Sequence, residues 1–216
     1  MEKRYPFGPE PCAECACAGW VRHTGARQSA HRRRVAVTEN KYVAFLVAAE
    51  GIEQAELTEP WEAVEKAGWT PVLLSPASGE VQAYNHLDPA DTFQVDRAVA
   101  DAQPQDYAAL VLPGGVANGD QLRTDSGAVA FTRSFLDSGK PVAAICHAIW
   151  TLVEADAVRG RELTSWPSLQ TDVRNAGGEW VDREVVVDGN LVTSRKPDDL
   201  PAFNDALLGL LGQDAQ

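Results

Sequence analysis

Short apolar runs that alternate with amphipathic segments are the feature that most constrains the fold of this chain. The runs have strand length and are rich in Val, Leu and Ala: KYVAFLVA from Lys41, PVLLS from Pro71, DYAALVLPGG from Asp106 and PVAAI from Pro141. Strands without polar alternation are buried on both faces, as in parallel sheets covered by helices. The pattern predicts an α/β fold, a three-layer α/β/α sandwich with a mainly parallel sheet.

The remaining segments fit this arrangement. IEQAELTEPWEAVEKAG has helical spacing, although Pro60 is expected to kink the helix. A hairpin-like or irregular stretch is predicted through VQAYN and TFQVD, and a helix around residues 128–138. The runs 185–187 and 191–194, joined by Asp-Gly-Asn, predict a hairpin, and DDLPAFNDALLGLLG predicts a closing amphipathic helix.

Composition excludes several classes of function. The 216 residues carry a formal net charge of −12, which opposes general affinity for nucleic acid or anionic lipid. We find no apolar run long enough to span a membrane and no secretory signal in the first 30 residues. The expected location is therefore cytoplasmic, with reduced thiols.

Charge also divides the chain. Residues 1–34 contain seven Lys or Arg against three Asp or Glu, whereas the remainder is strongly acidic. We predict that residues 1–38 are a disordered or non-native extension and that residues 39–212 form one domain. The extension holds three cysteines and two histidines, whose crowded, irregular spacing leaves two interpretations open, a zinc site or chance composition: Cys12, Cys15, Cys17, His23 and His31.

Cys146 is the candidate nucleophile. It follows the apolar run PVAAI directly and precedes a predicted helix, with Ala144 and Ala148 on either side. Small neighbours suit a nucleophile elbow, a strained strand-to-helix turn. A nearby helix N-terminus would lower the thiol pKa and make Cys146 reactive at neutral pH. The alternative is an inert core cysteine, and His147 cannot be assumed to touch the thiol because consecutive side chains point apart.

Two further groups belong to the same predicted sheet edge. Gly114 and Gly115 end another strand, and their amides, with that of His147, could face a developing oxyanion; an ordinary glycine turn is the alternative. Glu53 and Glu56 follow the first strand, where a carboxylate could orient the thiol or exchange a proton with it. Taken alone, such glutamates are usually surface residues that complement a helix dipole.

Four segments together resemble the ThiJ/PfpI superfamily, specifically its PfpI-type intracellular protease branch: VAAEGIEQAEL, LPGGVANGDQLR, GKPVAAICHA, and VRGRELTSWPSLQTDVRNAGGEWVDREVVVDGNLVTSR. The resemblance covers about residues 40–212. It implies a flavodoxin-like sandwich with Cys146 as nucleophile, His147 as its partner and Glu53 hydrogen-bonded to the thiol. The family's carboxylate that reaches the histidine from a neighbouring subunit corresponds most nearly to Asp120. Where many relatives have His-Gly-Pro, this chain has His147-Ala148-Ile149.

The resemblance implies a stress-response, cysteine-dependent enzyme without cofactor or metal, working as a homo-oligomer, a dimer or hexamer. We favour a glyoxalase or deglycase that acts on reactive carbonyls or glycation adducts, because thiolate attack on an aldehyde needs only local proton transfers. One alternative is an intracellular cysteine peptidase acting on peptides. Another is a redox sensor or chaperone that uses Cys146 without hydrolysis.

Overall fold

The computed structural model describes residues 41–213. In this range the chain forms twelve strands and six α-helices. The strands are β1 (Tyr42–Leu46), β2 (Glu50–Glu53), β3 (Thr70–Ser75), β4 (Glu80–Asn85), β5 (Asp88–Gln94), β6 (Arg97–Ala98), β7 (Ala109–Leu112), β8 (Val142–Ile145), β9 (Glu162–Leu163), β10 (Glu179–Trp180), β11 (Val185–Asp188) and β12 (Leu191–Ser194). The helices are α1 (Gln54–Lys66), α2 (Val116–Thr124), α3 (Ser126–Asp137), α4 (Ile149–Glu154), α5 (Gln170–Asn175) and α6 (Leu200–Gln213).

The central sheet has seven strands in the order β11-β12-β8-β7-β1-β3-β6. All neighbouring strands are parallel except β11, which pairs antiparallel with β12. In β1, Ala44 and Leu46 pack into the apolar cluster that also holds residues of α3 and α4, while Val43 and Phe45 pack into the cluster with α1 and α6. Strands β1, β7 and β8 are therefore apolar at successive positions because helices cover both faces, and the predicted α/β/α sandwich is confirmed.

Several elements agree with the sequence pattern and others differ from it. The hairpin β11–β12 and the closing helix α6 are present as predicted. Helix α1 continues through Pro60, which lies on its buried face. Between β1 and α1, where the sequence pattern predicts no strand, the chain forms β2, which pairs with β4 of the antiparallel hairpin β4–β5 in a separate three-stranded sheet. With four residues, β2 is too short to show the alternating pattern that predicts a strand.

None of the helices among the described residues is both long and apolar enough to cross a membrane. The prediction for residues 1–38, including the zinc alternative, lies outside the described residues.

Candidate active site

Cys146 lies on a sharp turn at the carboxyl end of β8. Its backbone has φ +62°, a left-handed conformation that costs a non-glycine residue about 1–2 kcal/mol. A single 3-10 turn, Cys146–Ala148, leads from this point into α4. Only 5% of the residue is exposed. The strained strand-to-helix corner agrees with the predicted elbow, and such strain is typical of functional positions.

The turn also brings His147 onto the thiol. His147 Nδ1 lies 3.1 Å from Cys146 Sγ, a contact that consecutive side chains on a regular strand or helix could not make. The imidazole lies between two indoles, with ring centroids 5.3 Å from Trp150 and 5.6 Å from Trp166. Burial lowers the pKa of His147 to about 4, so the ring is neutral at pH 7.

Glu56, in the first turn of α1, is the carboxyl group that is hydrogen-bonded to the thiol of Cys146. It is fully buried, and its Oε2 accepts a hydrogen bond of 2.9 Å from the amide of Gly114. Burial and, secondarily, the charge of Glu53 raise the pKa of Glu56 to about 8, against an opposing contribution from its interaction with Cys146. At neutral pH this carboxyl is therefore mainly protonated and can act as a proton donor.

The structure thus gives Glu56 the contact that the family resemblance suggested for Glu53. Glu53 immediately precedes α1 and lines a cavity that Glu56 and Cys146 also line. Its Oε2 accepts a 3.2 Å hydrogen bond from the amide of His86 at the tip of the β4–β5 hairpin. The signal that distinguishes the two glutamates is helical phase, since Glu56 shares the buried face of α1 with Leu57, Pro60 and Val64.

The thiol pKa differs from the sequence prediction. Burial, followed by the negative charge of Glu56, raises the pKa of Cys146, whereas hydrogen bonds from the amides of Gly115 and His147 lower it. At this buried position the loss of solvation of the thiolate raises the pKa by more than the hydrogen bonds from the two amides lower it. Because the repulsion from Glu56 exists only when its carboxyl is ionised, the thiol loses its proton most easily while Glu56 is protonated.

Gly114 and Gly115, the double glycine that follows β7, have different roles in the site. The Gly114 amide is occupied by Glu56, and a Cβ on Gly114 would lie 2.6 Å from that of Cys146. Gly115 adopts φ +97°, and its amide faces the sulfur together with the amide of His147. Of the three amides predicted for an oxyanion, those of Gly115 and His147 point to the reacting atom and that of Gly114 fixes the acid.

Sequence reasoning missed Asn118, which holds this loop in place. Its side chain is buried, accepts a 2.7 Å hydrogen bond from the amide of Ala48, and donates to the carbonyls of Pro113 and Gly114. These bonds tie the double glycine to the end of β1. An amide group in the motif VANGDQLR is the only available signal, and amides in loops are too common to identify such a role.

Asp120 lies on α2 and lines the same cavity of about 650 Å³ as Cys146 and Glu53. No hydrogen bond or ion pair joins Asp120 to His147 among the described residues, so its role within this chain stays a prediction. The described part of the chain also contains no cluster of three or more His, Cys, Asp or Glu side chains suited to a metal ion.

Several known proteins are similar to this chain along most of its length. The chain is 44% identical over 174 residues to protein/nucleic acid deglycase 2 of Escherichia coli K12, covering 80% of this chain and 99% of that protein. It is 38% identical over 172 residues, with the same coverage, to a Bacillus subtilis protein whose name assigns it provisionally to the cysteine proteases.

Among solved structures, a two-domain protein of Anabaena variabilis with DJ-1/ThiJ/PfpI-like and ferritin-like domains aligns at a TM-score of 0.75 and 34% identity. The alignment covers 80% of this chain and 48% of that protein. The DJ-1/PfpI family model matches residues 41–210, which include the whole site. The chain therefore belongs to the DJ-1/PfpI family.

Proposed function

We propose that this protein is a cysteine-dependent, cofactor-independent glyoxalase or deglycase that acts on small reactive carbonyls or their adducts with amines. The observation that carries the proposal is the thiol of Cys146 beside a buried carboxyl with a raised pKa, Glu56, and a neutral imidazole, His147. The names of the Escherichia coli relative and of a deglycase from Thermococcus kodakarensis, 39% identical over 167 residues, support it.

Activation of the thiol is the first step. Nδ1 of neutral His147, 3.1 Å from Sγ, accepts the thiol proton in the tautomer that carries its hydrogen on Nε2. Burial disfavours both charged groups that this transfer creates, so the thiolate is a transient, sparsely populated species that the attack on the substrate consumes. The amides of Gly115 and His147 stabilise the thiolate. With Glu56 protonated, no second negative charge opposes this step.

The thiolate then attacks the aldehyde carbon of the substrate. A carbon–sulfur bond forms, the carbonyl π pair moves to oxygen, and protonated Glu56 supplies the proton that makes the hemithioacetal. The proton on Glu56 is available because burial holds its pKa near 8. This step consumes no oxidant or reductant.

With a 2-oxoaldehyde the hemithioacetal can isomerise. A base, the Glu56 carboxylate or His147, removes the proton on the carbon bonded to sulfur, and a proton returns to the neighbouring carbon. The product is a 2-hydroxyacyl thioester. Water then hydrolyses the thioester to a 2-hydroxy acid and the free thiol, so that methylglyoxal yields lactate. With a hemiaminal adduct of an amine, the thiolate attacks the carbon that carries the nitrogen, so that a carbon–sulfur bond forms, the carbon–nitrogen bond breaks, and the amine leaves with the proton of Glu56.

A peptidase is the second candidate, and the name of the Bacillus subtilis relative favours it. Peptide hydrolysis requires an acid that protonates the leaving amine. Burial lowers the pKa of His147 to about 4, so its imidazolium is scarce at neutral pH. Glu56 is then the acid for either class of substrate, and the closed position of Cys146, only 5% exposed, makes small carbonyl substrates the better match.

We also propose that the protein is a cytoplasmic homo-oligomer in which Asp120 of one subunit reaches His147 of another. Supporting this, Asp120 and His147 line the same cavity, although no hydrogen bond or ion pair joins them among the described residues. An Asp120→Asn variant and a verified monomer should then both lose activity, and full activity in the monomer would reject the shared site.

The test is lactate formation from methylglyoxal by the full chain, without added metal or glutathione and with a chelator present. Wild type should turn over, Cys146→Ala should not, and Glu59→Gln, which alters an exposed position of α1, should match wild type. Absence of lactate together with cleavage of a peptide library dependent on Cys146 would establish the peptidase. Absence of both, with a peroxide-induced mass shift at Cys146, would establish the redox sensor.

A further inference from the structure

The two indoles that enclose His147 are held in different ways. Trp166 stacks on the imidazole with the ring planes 28° apart, and its backbone amide donates a 3.3 Å hydrogen bond to the carbonyl of Cys146. The nucleophile turn itself therefore fixes Trp166. Trp150 is the second residue of α4, its ring plane is inclined at 60° to the imidazole, and its side chain is half-buried. A half-buried side chain keeps one rotamer only if a contact holds its outer edge.

Asp172 on α5 holds the outer edge of Trp150. The indole Nε1–H donates a 2.8 Å hydrogen bond to Oδ2 of Asp172, which lies 22 positions further along the chain. The short distance is typical of a hydrogen bond to a charged acceptor. Within residues 41–213 this carboxylate forms no ion pair, and the indole is its one hydrogen-bond partner. Its interaction with the rest of the described protein therefore goes through Trp150.

Arg123 on α2 covers the face of the same indole. The guanidinium carbon lies 5.6 Å from the ring centroid, within the range of a cation–π contact, and Nη2 of Arg123 lies 3.6 Å from Oε2 of Glu154. Attraction to a ring face does not fix the rotation of the ring within its own plane. The hydrogen bond from Asp172 supplies that constraint, because it holds the N–H at one point.

Asp172 has a second possible role, in the helix that carries it. It lies in the first turn of α5, where a negative charge stabilises a helix. The two roles depend on different properties of the side chain, because the helix needs the charge and the indole needs an acceptor oxygen. Asparagine keeps such an oxygen and lacks the charge, so it separates the two roles.

We propose that Asp172 is a positioning residue, which holds Trp150 in the orientation that covers His147 and so keeps the imidazole against the thiol of Cys146. Asp172 is exposed and is not among the described residues that line the cavity. The inference rests on the proposed function for its effect on turnover and on the contacts alone for the position of the indole. Without the bond, the imidazole gains room to rotate, and Nδ1 lies beside Sγ in fewer molecules.

The test is NMR spectroscopy of the full chain labelled with ¹³C and ¹⁵N. Ring currents of neighbouring indoles shift the carbon-bound ring protons of His147 by an amount that depends on where the indoles lie. Asp172→Ala should change these shifts and speed solvent exchange of the Trp150 indole N–H. Asp172→Asn should leave both close to wild type. The matched control, Asp205→Ala, removes an exposed carboxylate of α6 and should change neither.

Turnover of methylglyoxal should follow the same order. In Asp172→Ala, kcat/KM should fall roughly threefold to tenfold, the equivalent of one hydrogen bond, while Asp172→Asn should stay within about twofold of wild type. Trp150→Phe keeps an aromatic ring and removes the N–H. In that background Asp172→Ala should cause no further loss, because the bond it breaks is already absent.

Four results would overturn the inference: unchanged His147 shifts in Asp172→Ala, equal effects of the alanine and asparagine variants, full activity of Asp172→Ala, or a further loss in the Trp150→Phe background. Absence of lactate from the wild type would instead contradict the glyoxalase function. The NMR measurement decides the position of Trp150 in either case, because it needs no substrate.

Discussion

A glutamate lies at the inner end of the cavity and another at its rim, and the two differ in how far they are exposed to solvent. Glu56 at the inner end is fully buried, bonded to the Gly114 amide, and has its pKa raised to about 8. Glu53 at the rim, three positions earlier, is partly exposed and bonded to the hairpin tip. Burial is the largest cause of the raised pKa of Glu56 and is what makes this glutamate an acid at neutral pH.

Replacing Glu56 or Glu53 by glutamine should give the largest difference in activity between the inner end and the rim of the cavity. Glu56→Gln keeps the acceptor for Gly114 but removes the acidic proton, so kcat/KM for methylglyoxal should fall roughly a thousandfold. Glu53→Gln should lower it less than about tenfold, since the rim group only orients or attracts substrate. The measurement is steady-state kinetics at pH 7, with circular dichroism as a check on folding.

A larger loss of activity in Glu53→Gln than in Glu56→Gln would contradict the assignment of the acid to Glu56. The exposed variant Glu59→Gln supplies the baseline, because it changes the same helix without entering the cavity.

Stability as a function of pH should also distinguish the buried carboxyl. The pKa of Glu56 in the folded protein, about 8, exceeds its ordinary value of 4.5, so the folded state binds more protons than the unfolded state between these values. The free energy of unfolding that Glu56 provides is complete below pH 4.5 and is lost as pH rises to 8. By pH 7 the loss should reach about 3 kcal/mol.

The measurement is urea unfolding of wild type and Glu56→Gln from pH 5 to pH 8. His147 acts in the opposite direction, since its lowered pKa gives stability that is lost as pH falls from 6.5 toward 4, but it is present in both proteins and cancels in their difference. The variant should gain on wild type as pH rises. Parallel curves would mean that Glu56 is ionised in the folded protein.

The sequence predicts the fold well because the central strands β1, β7 and β8 are apolar at nearly every position, and a sheet covered on both faces buries such strands. It identifies Cys146 for a related reason, since the small residues beside it permit a strained turn. The contact with His147 depends on the left-handed backbone of Cys146, which residue spacing does not encode. The choice between Glu53 and Glu56 depends on where α1 begins, and element boundaries are the least certain part of a pattern.

A methyl group at the inner end should cost stability, whereas the same group on an outer helix should not. Gly114→Ala would place a Cβ 2.6 Å from Cys146 Cβ and against the Glu56 carboxyl, so we expect a loss of about 2 kcal/mol and of activity. Gly209→Ala on α6 meets nothing within 4 Å and should stabilise by about 0.5–1 kcal/mol. Chemical denaturation measures both, and a neutral Gly114→Ala would show that the inner end can relax.

Replacing Trp166, which stacks on His147, should have the smallest measurable effect of these changes, a shift in the pKa of the imidazole. Trp166 stacks on His147 at 5.6 Å, and burial is what lowers the pKa of that imidazole to about 4. Trp166→Leu should admit water and raise the pKa by about one unit, toward 6.5. NMR titration of the ring protons reads the change, with Trp69→Leu as a control of the same size away from the site. An unchanged pKa would mean that Trp150 and the surrounding backbone exclude water on their own, and that the indole of Trp166 serves the substrate rather than the histidine.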